Sequence, residues 1–161
     1  YCARIENPRT ESDWLSRDEK VVDDFKNDPL CDFIFTVDGF KALFTLVRED
    51  CDDRTAQKVP KELPIYILSG AEDPVGQYGE GVMKTYEQYK QAGIENLQVK
   101  IYPEMRHEIL NELGKEEVYE DILRWTEERI SEYAQENDEA DTENDDASDS
   151  QMDDKADSQE E

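Results

Sequence analysis

The chain has 161 residues, 43 of them Asp or Glu against 18 Lys or Arg, for a formal net charge of −25. That deficit of cations leaves no footprint for neutralising nucleic-acid phosphates. No apolar run approaches the ~20 residues that cross a bilayer, and mean hydropathy is −0.95, so neither nucleic acid nor stable membrane insertion is expected.

The charge is uneven. Residues 135–161 carry 13 acidic residues and one basic, Lys155. This segment reads as a disordered acidic tail, too charged to bury a core, and it leaves a mildly acidic body over 1–134. Within the body, residues 1–15 read as irregular, with Pro8 as a breaker. The chain begins with Tyr rather than Met and shows no charged-then-apolar leader pattern, so an upstream portion of the natural protein is expected. Ser16 in S-R-D-E opens a helix, with Glu19 three residues on as its capping-box partner. Val21, Val22 and Phe25 share one face of that helix, and Asp28-Pro29 ends it. Leu30, Cys31, Phe33, Ile34 and Phe35 form an apolar patch without clear period. A second helix is predicted from Val37 to Asp50, with Phe40, Leu43, Phe44 and Val47 on one face.

The pattern then changes. Pro60 and Pro64 bracket a boundary, which divides the chain into 1–63, 64–134 and the tail, 135–161. Pro64 to Ser69 is a near-continuous apolar run, typical of a strand buried on both faces of a parallel sheet. Gly70 stops it, and a polar loop follows. Glu80 to Gln91 reads as a helix with Val82, Tyr86 and Tyr89 on one side. Gly93 sits where a helix end wants positive φ. Leu97, Val99 and Ile101 alternate in a second strand, and residues 103–107 form a loop at its end. Val118, Ile122 and Trp125 line one face of a long helix that runs into the tail. The order strand–helix–strand–helix predicts an α/β fold with parallel strands. Two strands are too few for a stable sheet, so the chain is expected to be a piece of a larger one.

In an open α/β sheet, reactive groups gather outside the carboxyl ends of the strands. Two residues occupy that place: Asp73 after the first strand and His107 after the second. A carboxylate there can bond one imidazole nitrogen, leaving the other free to act as a base. His107 is the single histidine of the chain. Glu72 rivals Asp73 as the acid, and spacing does not separate them. Cys2, Cys31 and Cys51 lack a CxxC pattern, so neither a zinc site nor a disulfide framework is indicated; reduced thiols of a cytosolic protein are expected. The aromatic residues Trp14, Phe33, Phe35, Phe40 and Phe44 have two readings, core packing or the lining of an acyl-chain pocket.

Two segments carry a family resemblance. L-P-I-Y-I-L-S-G-A-E-D-P-V-G (63–76) and Y-P-E-M-R-H-E-I-L-N-E (102–112), in that order with a helix between, resemble the end of the α/β-hydrolase fold. More narrowly they resemble bacterial monoacylglycerol lipase or lysophospholipase-like serine hydrolases, which carry the serine aminopeptidase domain. D-W-L-S-R-D (13–18) and D-P-L-C (28–31) resemble the part just after the cap of those proteins, and the likeness covers about residues 7–131. The resemblance implies the C-terminal part of the fold: the last two parallel strands, their flanking helices and the end of the cap. It implies a triad in the order Ser, acid, His. Asp73 then falls at the acid position of S-G-x-x-D-P-V, ahead of Glu72, and His107 falls at the position of the base in R-H-E. It further implies a small lipid ester as substrate, no metal or organic cofactor and a cytoplasmic enzyme.

No G-x-S-x-G occurs in the chain, and no oxyanion loop is identified. The expectation is a chain that supplies acid and base but no nucleophile, and does not catalyse alone. The alternatives are a non-catalytic acidic interaction module, with the tail as its working part, or a peptidase or thioesterase of the same fold.

Overall fold

Two six-residue runs, β1 (Ile65–Gly70) and β2 (Leu97–Tyr102), pair in parallel, with Ile65 opposite Leu97 and Gly70 opposite Tyr102. The computed structural model describes residues 1–31 and 33–153, with side chains as far as residue 135 except at residue 53. Four helices precede or connect the strands: α1 (Glu19–Asn27), α2 (Val37–Asp50), the single turn α3 (Asp53–Ala56), and α4 (Glu80–Gln91) as the crossover. α5 (Lys115–Asp153) follows β2. By contact the chain divides into two units, residues 1–118 and 119–161.

The strands behave as their sequence predicts in direction and extent, but not in cover. A continuous apolar run suits a strand enclosed on both faces, yet Ile65 to Leu68 are half-buried, and burial is reached only at Ser69 and Gly70. One partner strand and one crossover helix are too little to enclose β1. The core of the first unit is instead assembled from Leu15, Val22, Ile94, Tyr102, Met105 and Val118.

Helix ends follow local chemistry. α2 starts where Thr36 Oγ1 accepts the Gly39 amide at 3.1 Å, a normal side-chain cap. α1 starts later than the capping box predicts. Asp18 is its cap, accepting the Lys20 amide at 2.9 Å. The Ser16 hydroxyl is engaged elsewhere: it donates to the Asn111 carbonyl at 3.2 Å and accepts the Asp18 amide at 3.0 Å. A long-range tie has displaced the local one. α4 is entered through three left-handed residues, Gln77, Tyr78 and Gly79, and left through Ala92 and Gly93, whose φ of 88° is the positive value its position predicts.

The apolar face of α2 is present but uncovered: Phe40, Leu43, Phe44 and Val47 are all exposed. α5 begins after Gly114 and buries Val118 completely. Its backbone is helical to Asp153. Neither glycine nor proline occurs after Gly114, and no residue type there breaks a helix. The remainder of the tail, residues 154–161, lies outside the described residues. In the second unit, Arg124 pairs with Asp121 and Arg129 with Glu132, each one turn apart along the helix. Among the described residues no helix is long and apolar enough to cross a membrane.

Gly70 is the tightest point of the fold. A Cβ there would stand 2.2 Å from the carbonyl oxygens of both Met105 and Arg106, closer than any side chain tolerates. Backbone bonds continue past the strands: the Ala71 amide donates to Tyr102 and the Glu72 amide to Met105, each at 2.9 Å. The loop after β2 is thereby laid directly on the end of β1. Gly70→Ala is expected to cost about 3 kcal/mol or more, the upper end of overpacking. Gly93→Ala, whose nearest neighbour is the Lys61 side chain at 3.8 Å, should cost about 1–2 kcal/mol of left-handed strain. Denaturant midpoints of the two variants check that order.

Candidate active site

Asp73 lies in the loop after β1 and is buried. Its backbone amide bonds Gly70 O at 3.3 Å, and its Oδ1 accepts the Val75 amide at 2.8 Å. This is the short-range turn that Asp makes readily with an amide two residues on. The Tyr78 amide closes the loop onto Asp73 O at 2.8 Å. Gly76 leaves the carboxylate its space, since a Cβ there would lie 3.2 Å from Asp73 Oδ2. Glu72, the rival acid, is exposed and points into the cavity described below.

His107 is held by the backbone on both sides. Three consecutive amides are bonded: Arg106 to Glu112 Oε1 at 3.0 Å, His107 to Trp14 O at 3.4 Å, and Glu108 to Leu15 O at 2.8 Å. The Arg106 guanidinium reaches back to the carbonyls of Asp13 at 2.5 Å and Ser16 at 3.0 Å. The Trp14 indole lies against the imidazole, ring centroids 5.0 Å apart, and Tyr1 lies against Trp14 at 4.7 Å.

The structure therefore brings the two predicted residues together: His107 Nδ1 and Asp73 Oδ1 are 3.1 Å apart. A carboxylate only accepts, so this bond places the proton on Nδ1. Nε2 then presents its lone pair, and no described residue bonds it. The His107 side chain is 37% exposed and that of Asp73 9%. A buried acid behind an accessible imidazole is the arrangement that can take a proton from a hydroxyl and return it to a leaving group. A cavity of about 360 Å³ is lined by Trp14, Glu72 and Arg106, neighbours of the pair, and by Tyr1, Arg4 and Tyr78 among others, though not by Asp73 or His107 themselves. The Arg4 guanidinium sits 3.5 Å above the Tyr78 ring.

The five aromatic residues grouped by sequence separate into two sets. Trp14 belongs to the site. Phe33, Phe35, Phe40 and Phe44 form a chain of ring contacts 5.4–5.9 Å apart along α2 and its approach, and all four are exposed. Cys2, Cys31 and Cys51 form no disulfide. Among the described residues no group of three or more His, Cys, Asp or Glu is poised for a metal ion.

Sequence reasoning missed the residues that hold the histidine loop. Glu112 is 1% exposed, and nothing in its spacing distinguishes it from the many surface glutamates. Arg17 and Arg106 carry no periodic signal either. Asp13 opens the 13–18 segment that carries the resemblance, but nothing in that likeness assigns it a role. Burial pushes its carboxyl up. The Thr10 hydroxyl at 2.5 Å, the Thr10 and Arg9 amides and the Arg9 charge outweigh that and hold it below the ordinary carboxylate value.

Parallel strands whose carboxyl-end loops deliver an Asp and then a His to one edge define the closing part of an α/β-hydrolase. The family model described as serine aminopeptidase, S33, matches residues 2–114, and the chain belongs to that family. Among solved structures it is similar to a highly thermostable carboxyl esterase from Bacillus coagulans in complex with glycerol, at 38% identity and a TM-score of 0.68, over 78% of this chain and 41% of that one. It is similar to a lipase in its open form at 25% identity and a TM-score of 0.71, over 80% and 42%. A soluble variant of monoglyceride lipase from Saccharomyces cerevisiae, in complex with a substrate analogue, shares the fold at 17% identity and a TM-score of 0.54, over 74% and 40%. The chain thus spans about two-fifths of the length of the solved structures it matches.

The depressed Asp13 carboxyl stabilises the fold above the ordinary carboxylate range, and that contribution is lost as pH falls through its folded value. Asp13→Asn should therefore be less stable than the parent at pH 7, with the difference closing as pH drops below about 4. Unfolding midpoints measured across that range check the sign.

Proposed function

We propose that this chain supplies the acid and base of a Ser-Asp-His triad in a carboxylic ester hydrolase acting on small lipid esters of the monoacylglycerol or lysophospholipid kind. The observation that carries the reading is the Asp73–His107 contact of 3.1 Å with Nε2 left open. The esterase and lipase likenesses support ester chemistry over other uses of the same fold.

In this reading the nucleophilic serine and the oxyanion loop come from the part of the fold that the chain does not span. The serine oxygen bonds to the ester carbonyl carbon as its proton passes to Nε2 of His107. The imidazolium that forms is stabilised by Asp73 across Nδ1–H. Collapse of the tetrahedral oxyanion breaks the bond to the alkoxy oxygen, which leaves with the proton from Nε2. Water then attacks the acyl-enzyme with the same proton movements and frees the serine and the carboxylic acid. Neither metal nor organic cofactor is called for. Residues 1–63 bring the end of the cap and the helices after it, and residues 64–134 the last strands and helices of the catalytic domain. Residues 135–161 are an acidic appendage outside the chemistry, and the enzyme works in the cytoplasm.

In the intact protein Asp73→Asn and His107→Ala should each lower kcat by roughly 10⁴ on p-nitrophenyl and monoacylglycerol esters. Near-parent rates in both variants would remove the assignment. A panel of peptide amides and thioesters turned over faster than esters would move the chain to another branch of the same chemistry. The 161-residue chain by itself should not react with a serine-directed fluorophosphonate; labelling would reveal a nucleophile within it.

A further inference from the structure

We propose that Glu112 is a positioning residue for His107, a role that rests on the triad reading above. Its side chain is fully buried and its carboxylate accepts four hydrogen bonds. Oε1 takes the amides of Arg17 at 2.8 Å and Arg106 at 3.0 Å; Oε2 takes Arg17 Nε at 3.0 Å and the Leu113 amide at 2.8 Å.

Leu113 is the residue next to Glu112; the other three donors belong to two separate stretches of chain. One is the loop that bears His107, gripped at the residue immediately before it. The other is 13–17, whose carbonyls at Trp14 and Leu15 take the amides of His107 and Glu108. Glu112 therefore fixes the loop and the stretch against which the loop is held. The Arg106 guanidinium, bonded to the Asp13 and Ser16 carbonyls, closes the bracket from the other side. The imidazole is tied to Asp73 by one contact of 3.1 Å and is otherwise partly exposed. Its placement thus depends on the backbone on either side of it.

A carboxylate suits this place because it only accepts. Glutamine has nearly the same shape but turns an NH₂ toward two of the four donors, so two bonds are lost and two like groups meet. The clamp should then loosen and the imidazole drift, and a displacement near 1 Å at a reacting group costs about 10²-fold in rate.

The test uses the intact hydrolase. Glu112→Gln should fold, keep KM within about twofold and lose about 10²-fold in kcat. Arg17→Met removes the Nε bond, with the Nη2 bond to the Leu113 carbonyl and the Glu104 pairing, but keeps the Arg17 amide on Glu112, so it should lose less, roughly tenfold. Thermal unfolding of each variant gives the folded fraction at the assay temperature. A kcat that is unchanged, or that falls only with the folded fraction, overturns the proposal. So does a loss carried by KM alone. If Glu112→Gln does not fold, Arg17→Met decides by the same criteria. His107→Ala is assayed in parallel: activity there removes the triad itself, whereas a dead His107→Ala beside an unimpaired Glu112→Gln removes the role of Glu112 alone.

Discussion

The structure depends on two parallel strands that end level. With Ile65 opposite Leu97 and Gly70 opposite Tyr102, β1 and β2 stop at the same height, and their following loops leave from one edge. Level ends alone would not join the loops. The missing side chain of Gly70 lets the chain after β2 lie on the end of β1, with the Met105 and Arg106 carbonyls in backbone contact. Bonds from Ala71 and Glu72 then carry the pairing beyond the strands. Once that is done, the loops bearing Asp73 and His107 have little choice but to run side by side. The site is the continuation of the sheet register by other means, which is why reactive groups collect at this edge in open α/β folds.

Much of this was legible. Alternation at Leu97, Val99 and Ile101, the apolar run at 65–68, and the helical spacing over Glu80 to Gln91 gave the three elements that place the site. Gly93 marked the end of α4, and α2 lies on its predicted bounds. The sequence order placed Asp73 and His107 at strand ends, but spacing could not choose between Asp73 and Glu72; the resemblance did. The physical reason for the choice is visible in the loop. Asp73 folds back on the Val75 amide and stays buried, while Glu72 is exposed and lines the cavity.

What stayed hidden was determined by partners distant in sequence. Ser16 looks like a helix cap because its neighbours fit the pattern, but its hydroxyl bonds Asn111, and Asp18 takes the cap. Trp14 looked like one of five grouped aromatics and is instead the one beside His107. The apolar face of α2 shows a further gap. Periodicity is a property of the helix, whereas cover is a property of its neighbours. The sequence reports the first and is silent on the second, so Phe40 and Phe44 read as core or as the lining of an acyl-chain pocket, and are exposed.

Charge gives the sharpest contrast between composition and structure. Most of the ions in this chain sit at the surface. A pair such as Lys20 with Asp24 is largely exposed, where an ion pair is worth about 0–1 kcal/mol. The carboxylates around His107 are different, because Asp13, Asp73 and Glu112 are all buried. Burying a charge without partners costs several kcal/mol, and each of these has partners: Asp13 the Arg9 amide and the Thr10 hydroxyl, Asp73 the Val75 amide and the imidazole, and Glu112 its four donors. The penalty for leaving such a group unbonded is what makes the arrangement specific, since a shift in any of the three stretches strands a buried carboxylate. A net charge of −25 therefore says little about the site. Three buried acids, each with named donors, fix where the histidine stands.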